Sequence, residues 1–219
     1  MQIVLTSEIL LAAYSQGLFP MAERADSPDV HWYCPEKRGQ LSIEGIHISR
    51  TLKKKVRQGD FDIRINTDFR QVIESCCLKR PDRPETWINK NILDAFCKLH
   101  EEGQAHSVEC WLGSKMVGGL YGLSIGGAFF GESMFSRVSE ASKVCLVHLV
   151  ARLWVAGYQV LDTQFVNPHL QQFGVFEISY KTYLGQLTKA VNQKCSFQQW
   201  DESEEKLVRL YFEKRKETL

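Results

Sequence analysis

The stretch Ala105 to Phe135, AHSVECWLGSKMVGGLYGLSIGGAFFGESMF, decides how the fold of this chain is read. Its short apolar runs are interrupted at Gly113-Ser114 and again at Gly126-Gly127, the pattern of successive antiparallel strands joined by tight turns. A meander is expected there. Downstream, Ala141 to Ala156 is a strongly apolar helix that Gly157 stops, and Tyr158-Gln159-Val160-Leu161-Asp162 is a buried strand entering a polar loop, Thr163 to Asn167. Strands in a run, then helix, then strand, give an α+β sheet domain with helices against one or both faces.

Working outward, Ser7 to Gln16 reads as a short helix, with Ser7 or Thr6 as N-cap and Gly17 beyond its end. From Ser27 to Gly39 no period is visible, which predicts irregular structure around Trp32 and Tyr33. Arg50, Lys53, Lys54, Lys55 and Arg57 form a basic run on a helix, and Phe61 to Ile65 alternates like a strand. A boundary near Asp60 divides a small N-terminal domain, 1–60, from a larger one, 61–219. Helices are expected at Phe69 to Cys77, Asn89 to Glu102, Ser179 to Val191 and Asp201 to Lys216. A Pro-rich loop between the first two carries Thr86-Trp87-Ile88.

Composition bounds the function. With 219 residues, 44% hydrophobic, the chain can bury a substantial core, which argues against disorder. A net charge of +1, from 27 basic and 26 acidic residues, means that any RNA contact needs a local patch. The run from Arg50 to Arg57, with Lys79, Arg80 and Arg83, is a candidate for phosphates, against the plainer reading of a solvated helix face. No leader and no window near the roughly 20 apolar residues of a membrane span is visible, so a cytoplasmic protein without membrane contact is expected. The seven cysteines form no Cys-x-x-Cys pair and read as reduced core thiols. No metal site is expected. Near-neutral charge and the lack of a cofactor loop fit a monomer.

Three polar residues stand out. Glu132 lies at a strand end among Phe129, Phe130, Met134 and Phe135, where a carboxylate needs a reason; it is either functional or paired with a base such as Lys143. Asp162 ends a buried strand and Gln164 follows two residues on, which puts both on one side. An Asp accepting from the Gln amide group would leave the amide oxygen free to accept a hydrogen bond from a reacting amine; alternatively Asp162 is a loop cap. Trp87 offers either a base-stacking face or a core side chain. The paired glycines lack the spacing of a nucleotide loop, Ser133 lacks a nucleophile elbow, and His106, Glu109 and Cys110 lack a metal-ligand pattern.

The strings Ala13-Tyr14 with Gly17-Leu18-Phe19-Pro20, Thr86-Trp87-Ile88, Ala105 to Glu109, Val117 to Gly122, Gly131-Glu132-Ser133-Met134-Phe135-Ser136, Ala141-Ser142-Lys143 and Leu161-Asp162-Thr163-Gln164 with Asn167 and His169 closely resemble leucyl/phenylalanyl-tRNA–protein transferase, in the family's order. The resemblance implies a small N-terminal domain beside an N-acetyltransferase-like mixed sheet domain with flanking helices. It further implies transfer of leucine, phenylalanine or methionine from aminoacyl-tRNA to proteins beginning with arginine or lysine, marking them for degradation, without a cofactor. By the same resemblance Asp162 and Gln164 match the catalytic acid and amide, and Glu132 an acid of the same site. Leu120, Met134 and Leu161 match the side-chain pocket, Trp87 an adenine-stacking aromatic, and Asn167 a site residue. Met21 stands where the family usually has a second stacking tryptophan, and Ile178-Ser179-Tyr180 replaces a typical Ile-Pro-Arg. The rival readings are an acetyl-CoA-dependent N-acetyltransferase, whose pyrophosphate loop is not found in the sequence, and a non-catalytic tRNA-binding module, which the joint presence of Glu132, Asp162 and Gln164 opposes.

Overall fold

The computed structural model describes residues 5–78 and 85–218, with side chains to residue 215; Lys79, Arg80 and Arg83 therefore lie outside the described residues. The chain runs α1 (Ser7–Ser15), β1 (Phe19–Met21), β2 (His31–Tyr33), β3 (Lys37–Leu41), α2 (Arg50–Gln58), β4 (Asp62–Ile65), α3 (Phe69–Cys77) and α4 (Lys90–Glu101). It continues through β5 (Ala105–Leu112), β6 (Lys115–Ile125), β7 (Ala128–Ser136), α5 (Ala141–Val155) and β8 (Val160–Gln164). It ends with α6 (Pro168–Gln171), β9 (Phe176–Ser179), α7 (Tyr180–Ala190) and α8 (Glu204–Thr218).

Local chemistry sets these limits. The side chains of Thr6, Ser49, Asn89 and Ser179 each accept a hydrogen bond from a backbone N–H of the helix they precede. Gly59, in the left-handed region at φ 67°, ends α2. The expected meander is present as β5, β6 and β7. Its second turn needs glycine twice over at Gly126: φ is 56°, and a Cβ there would lie 2.4 Å from the carbonyl oxygen of Val191.

Seven strands form one sheet in the order β4-β5-β6-β7-β8-β3-β9, antiparallel except for β7 and β8, while β1 and β2 pair apart from it. Helices cover both faces. On one, Leu52 and Val56 of α2, Leu146 and Leu149 of α5, and Leu207 and Tyr211 of α8 share a core with Leu41, Leu120 and Leu161. On the other, Tyr14, Ile73, Phe96 and Leu187 close over Tyr121 and Phe130. Cores of this kind make α5, buried along almost its whole length, costly to truncate: a Leu-to-Ala change at such a site costs about 2–5 kcal/mol. Among the described residues no helix is long and apolar enough to cross a membrane, and none of the seven cysteines forms a disulfide.

Two expectations are corrected. Residues 27–39 are not irregular throughout, because β2 and the start of β3 lie there, and β3 gains its order by pairing with β8 and β9 rather than from any sequence period. Second, β8 begins at Val160 and extends through Gln164, so Thr163 and Gln164 belong to the strand, not to the loop after it. On the N-terminal side of Asp60, β3 lies inside the large sheet, α2 packs on α5, and Tyr14 of α1 packs on Phe96 and Phe130.

Candidate active site

The parallel pairing of β7 with β8 is short. It matches Ala128 to Val160, Phe129 to Leu161 and Phe130 to Asp162, and beyond that point the two strands no longer pair. Each also carries one extra residue there. Tyr121 opposes Ser133 and Gly122 opposes Gly131, so Glu132 is the bulged residue of β7; Gly39 opposes Gln164 and Gln40 opposes Asp162, so Thr163 is the bulged residue of β8. Between the parted strands lies a cavity of about 880 Å³, walled by β7, β8, α5 and α6.

Glu132 opens onto this cavity. Tyr14 of α1 donates its hydroxyl to Oε1 at 2.9 Å, and the Gln164 side-chain amide donates to the same oxygen at 3.1 Å. No described residue bonds Oε2. The residue is only partly covered, yet its carboxyl is shielded from bulk water, and that burial pushes its pKa up to about 8; the bonds from Tyr14 and Gln164 pull the other way. Burial first, and then the Glu132 charge, raise the Tyr14 hydroxyl well above its ordinary value. Tyr14 itself is fixed by edge-on contacts with Phe96 and Phe130. The alternative partner weighed for Glu132, Lys143, is engaged elsewhere, with Glu140 at 2.8 Å.

Asp162 is the centre of a separate, buried network. Both it and Arg38 are 0% exposed. The Arg38 guanidinium reaches both carboxylate oxygens at 2.8–3.0 Å, donates to the Gly17 carbonyl at 2.8 Å, and lies between the rings of Phe19 and Tyr183. The Tyr183 hydroxyl donates to Asp162 Oδ2 at 2.5 Å, and burial pushes that phenol's pKa up. These contacts correct the expectation that Asp162 and Gln164 face one way. The Thr163 bulge sets them opposite consecutive residues of β3, which project to opposite faces, so Gln164 lines the cavity and Asp162 does not.

The expected hydrogen bond between the Gln164 amide group and Asp162 is likewise absent. Asp162 Oδ1 accepts instead from the backbone N–H of Gln164, at 2.8 Å, and thereby holds that residue at φ 55°, a left-handed conformation that a non-glycine residue seldom adopts. The amide nitrogen is committed to Glu132, and no described residue donates to the amide oxygen of Gln164, which can accept a hydrogen bond.

The remaining candidates divide. Leu120, Met134 and Leu161 lie in the cavity wall, joined by Leu41, Leu146 and Leu149 in an apolar floor. Trp87 lines the cavity as well. Asn167 reaches it from the start of α6, with its side-chain oxygen accepting from Leu170 N at 2.9 Å. Met21 is not in the wall; it is brought alongside Trp87, whose carbonyl accepts from the Ala22 N–H at 3.0 Å. The basic run on α2 lies outside the cavity, and Lys53 and Arg57 set their charges over the Phe212 ring. Among the described residues no cluster of three metal-ligating side chains occurs.

In the sequence Tyr14 stands out only as part of the Ala13-Tyr14 string, without a role, and Arg38 and Tyr183 do not stand out at all. The only signal for Arg38 is a charge in the stretch Lys37-Arg38-Gly39-Gln40-Leu41, which becomes informative only once that stretch is known to be an inner strand.

Comparison with known families gives two matches. Residues 40–188 match the family described as leucyl/phenylalanyl-tRNA protein transferase, and residues 4–36 match the N-terminal domain of the same family. The second match covers the chain that precedes β3, and the first covers both strands that part to form the cavity.

Proposed function

Because the chain belongs to the leucyl/phenylalanyl-tRNA protein transferase family, and so moves an aminoacyl group from tRNA to the amino terminus of a protein, we propose that the transfer takes place at the pair formed by Glu132 and Gln164. The observation that carries this reading is the position of Gln164: its amide is tied to a carboxyl on one side, and it opens into a cavity with an apolar floor.

An ester between an amino acid and tRNA is already activated, so positioning supplies most of the acceleration and neither ATP nor a covalent enzyme intermediate is required. The α-amine of the acceptor, with a reference pKa of about 7.7–8.0, is in part neutral near pH 7. Its N–H donates to the free amide oxygen of Gln164 as the nitrogen attacks the ester carbon. A C–N bond forms, the bond to the terminal ribose oxygen breaks, and the proton given up by the amine is balanced by the one gained by that oxygen.

Asp162 serves as a positioning residue, acting through the Gln164 backbone and neutralised by Arg38. It is therefore not the group that reads a cationic acceptor. Glu132 is, since it lines the cavity and its Oε2 has no partner among the described residues, and arrival of a guanidinium or ammonium favours ionisation of this otherwise reluctant carboxyl. Acceptors beginning with arginine or lysine are the natural match, with degradation as their fate. The floor made by Leu120, Met134 and Leu161 takes leucine, phenylalanine or methionine from the donor, a breadth expected where one methylene is worth only about 1–3 kcal/mol. Trp87, with Met21 beside it, stacks on the terminal adenine. The protein works as a cytoplasmic monomer.

Incubation with labelled leucyl-tRNA and peptides that differ only in their first residue tests this. Label should pass to the peptides beginning with arginine and lysine. Equal labelling of a peptide beginning with glutamate would remove Glu132 from acceptor recognition.

A further inference from the structure

One side chain in the cavity wall has no part in that chemistry. His169, in the first turn of α6, stands at the cavity mouth, where its ring meets Phe173 at a centroid distance of 6.1 Å. Its backbone carbonyl accepts from the Gln172 side chain at 2.7 Å, but no described residue bonds either ring nitrogen. The charged groups facing it are Lys143 and Glu140 at the start of α5, which are paired with each other. Although His169 is exposed at the rim, the partial desolvation of its ring, with Lys143 adding repulsion, lowers its pKa and favours the neutral imidazole, which offers one donor and one acceptor nitrogen. Among the polar groups of the wall, the Asn167 side-chain oxygen caps α6, and Ser142 is bonded to Ser136.

The shape of the donor says what reaches this group. An aminoacyl side chain fits the apolar floor, whereas the nucleotide that carries it belongs to a macromolecule and has to stay at the mouth. With the base on Trp87, the ribose is the part that bridges base and ester, and beside the ester oxygen it carries a free hydroxyl. We propose that His169 holds the terminal ribose of the donor tRNA by a hydrogen bond to its 2′-hydroxyl, which turns the ester towards Gln164 and selects RNA ends over DNA ends. This inference rests on the transferase reading of the site, and extends it to a contact on the leaving-group side.

The test compares two donors, leucyl-tRNA ending in adenosine and leucyl-tRNA ending in 2′-deoxyadenosine with the ester on the 3′-oxygen. Each is measured with the unaltered protein, His169→Ala and His169→Gln, by equilibrium binding and by kcat/KM, with thermal midpoints as a folding control. With the ordinary donor, His169→Ala should weaken binding by a factor on the order of ten, the value of one hydrogen bond, and His169→Gln should recover part of it. With the deoxy donor the unaltered protein should already show that loss, and His169→Ala should add nothing. Equal losses on both donors, or none on either, would overturn the proposal. Tight donor binding without any transfer to an arginine peptide would instead overturn the transferase reading, because the binding comparison stands by itself.

Discussion

Tyr14 and Glu132, 118 positions apart in the chain, are joined by a 2.9 Å hydrogen bond from phenol to carboxyl. The bond couples the N-terminal part of the molecule to the cavity wall, and it favours the ionised form of a carboxyl that burial would otherwise keep protonated. Tyr14→Phe removes the donor and leaves the ring packing in place. The Glu132 pKa should then rise further. The pH at which kcat/KM for an arginine peptide reaches half its maximum should move upward, with a stability loss of about 1 kcal/mol. A pH–rate profile from about pH 6 to 9 measures it, and an unmoved profile would detach Tyr14 from the carboxyl's titration.

Glu132 also gives stability a pH dependence with a definite sign. Its pKa is about 8 in the folded chain, against an ordinary value of 4.5. Below 4.5 the group is protonated in both states and contributes nothing to the difference. As pH rises from 4.5 to 8 the unfolded chain loses this proton while the folded chain keeps it, so stability falls, and above 8 the full penalty is present. Glu132→Gln should therefore leave stability near pH 4.5 almost unchanged and raise it at about pH 9 by on the order of a few kcal/mol. Denaturant melts at the two pH values measure this; equal effects at both would mean that the carboxyl titrates normally.

Asp162→Asn leaves the Arg38 charge buried without its counter-ion. Removing one partner of such a pair costs about 3–5 kcal/mol, far more than an exposed pair would. Transfer should fall along with stability, because the Gln164 backbone loses the acceptor that holds it at positive φ. Urea titration combined with single-turnover transfer separates the two effects. Full activity in a destabilised variant would show that Gln164 keeps its place unaided.

Gly39→Ala tests the bulge in β8. A Cβ at Gly39 would lie 2.8 Å from the Thr163 hydroxyl oxygen and 2.9 Å from the Phe165 carbonyl carbon, one of them backbone, so the strand has to shift. A loss of about 1–3 kcal/mol is expected, the range for overpacking. Since Gln164 pairs with Gly39, transfer should fall more than donor binding does. Donor affinity and turnover measured side by side provide the check.

Legibility in the sequence tracked physical range. The meander, the apolar α5 and its glycine stop are written in short-range patterns, and the structure has them where those patterns put them. Glu132 and Gln164 were legible as polar residues in apolar surroundings. Their relation was not, because counting by twos from Asp162 to Gln164 assumes an unbroken strand, and Thr163 is an inserted residue that reverses the facing of the strand beyond it. Arg38 was invisible for a related reason. Only long-range pairing turns the stretch around it into an inner strand, and no local period records that.

The location of β3 has a consequence for how the protein is made. The strand leaves the ribosome well before both of its neighbours in the sheet, β8 and β9, which are synthesised more than a hundred residues later. Until Asp162 has emerged, Arg38 has no counter-ion, and until Ser179 has emerged, the sheet on the other side of β3 is not closed. Closure of the sheet thus waits on its last strand, so a nascent chain halted before β9 holds β3 with one of its two neighbours missing.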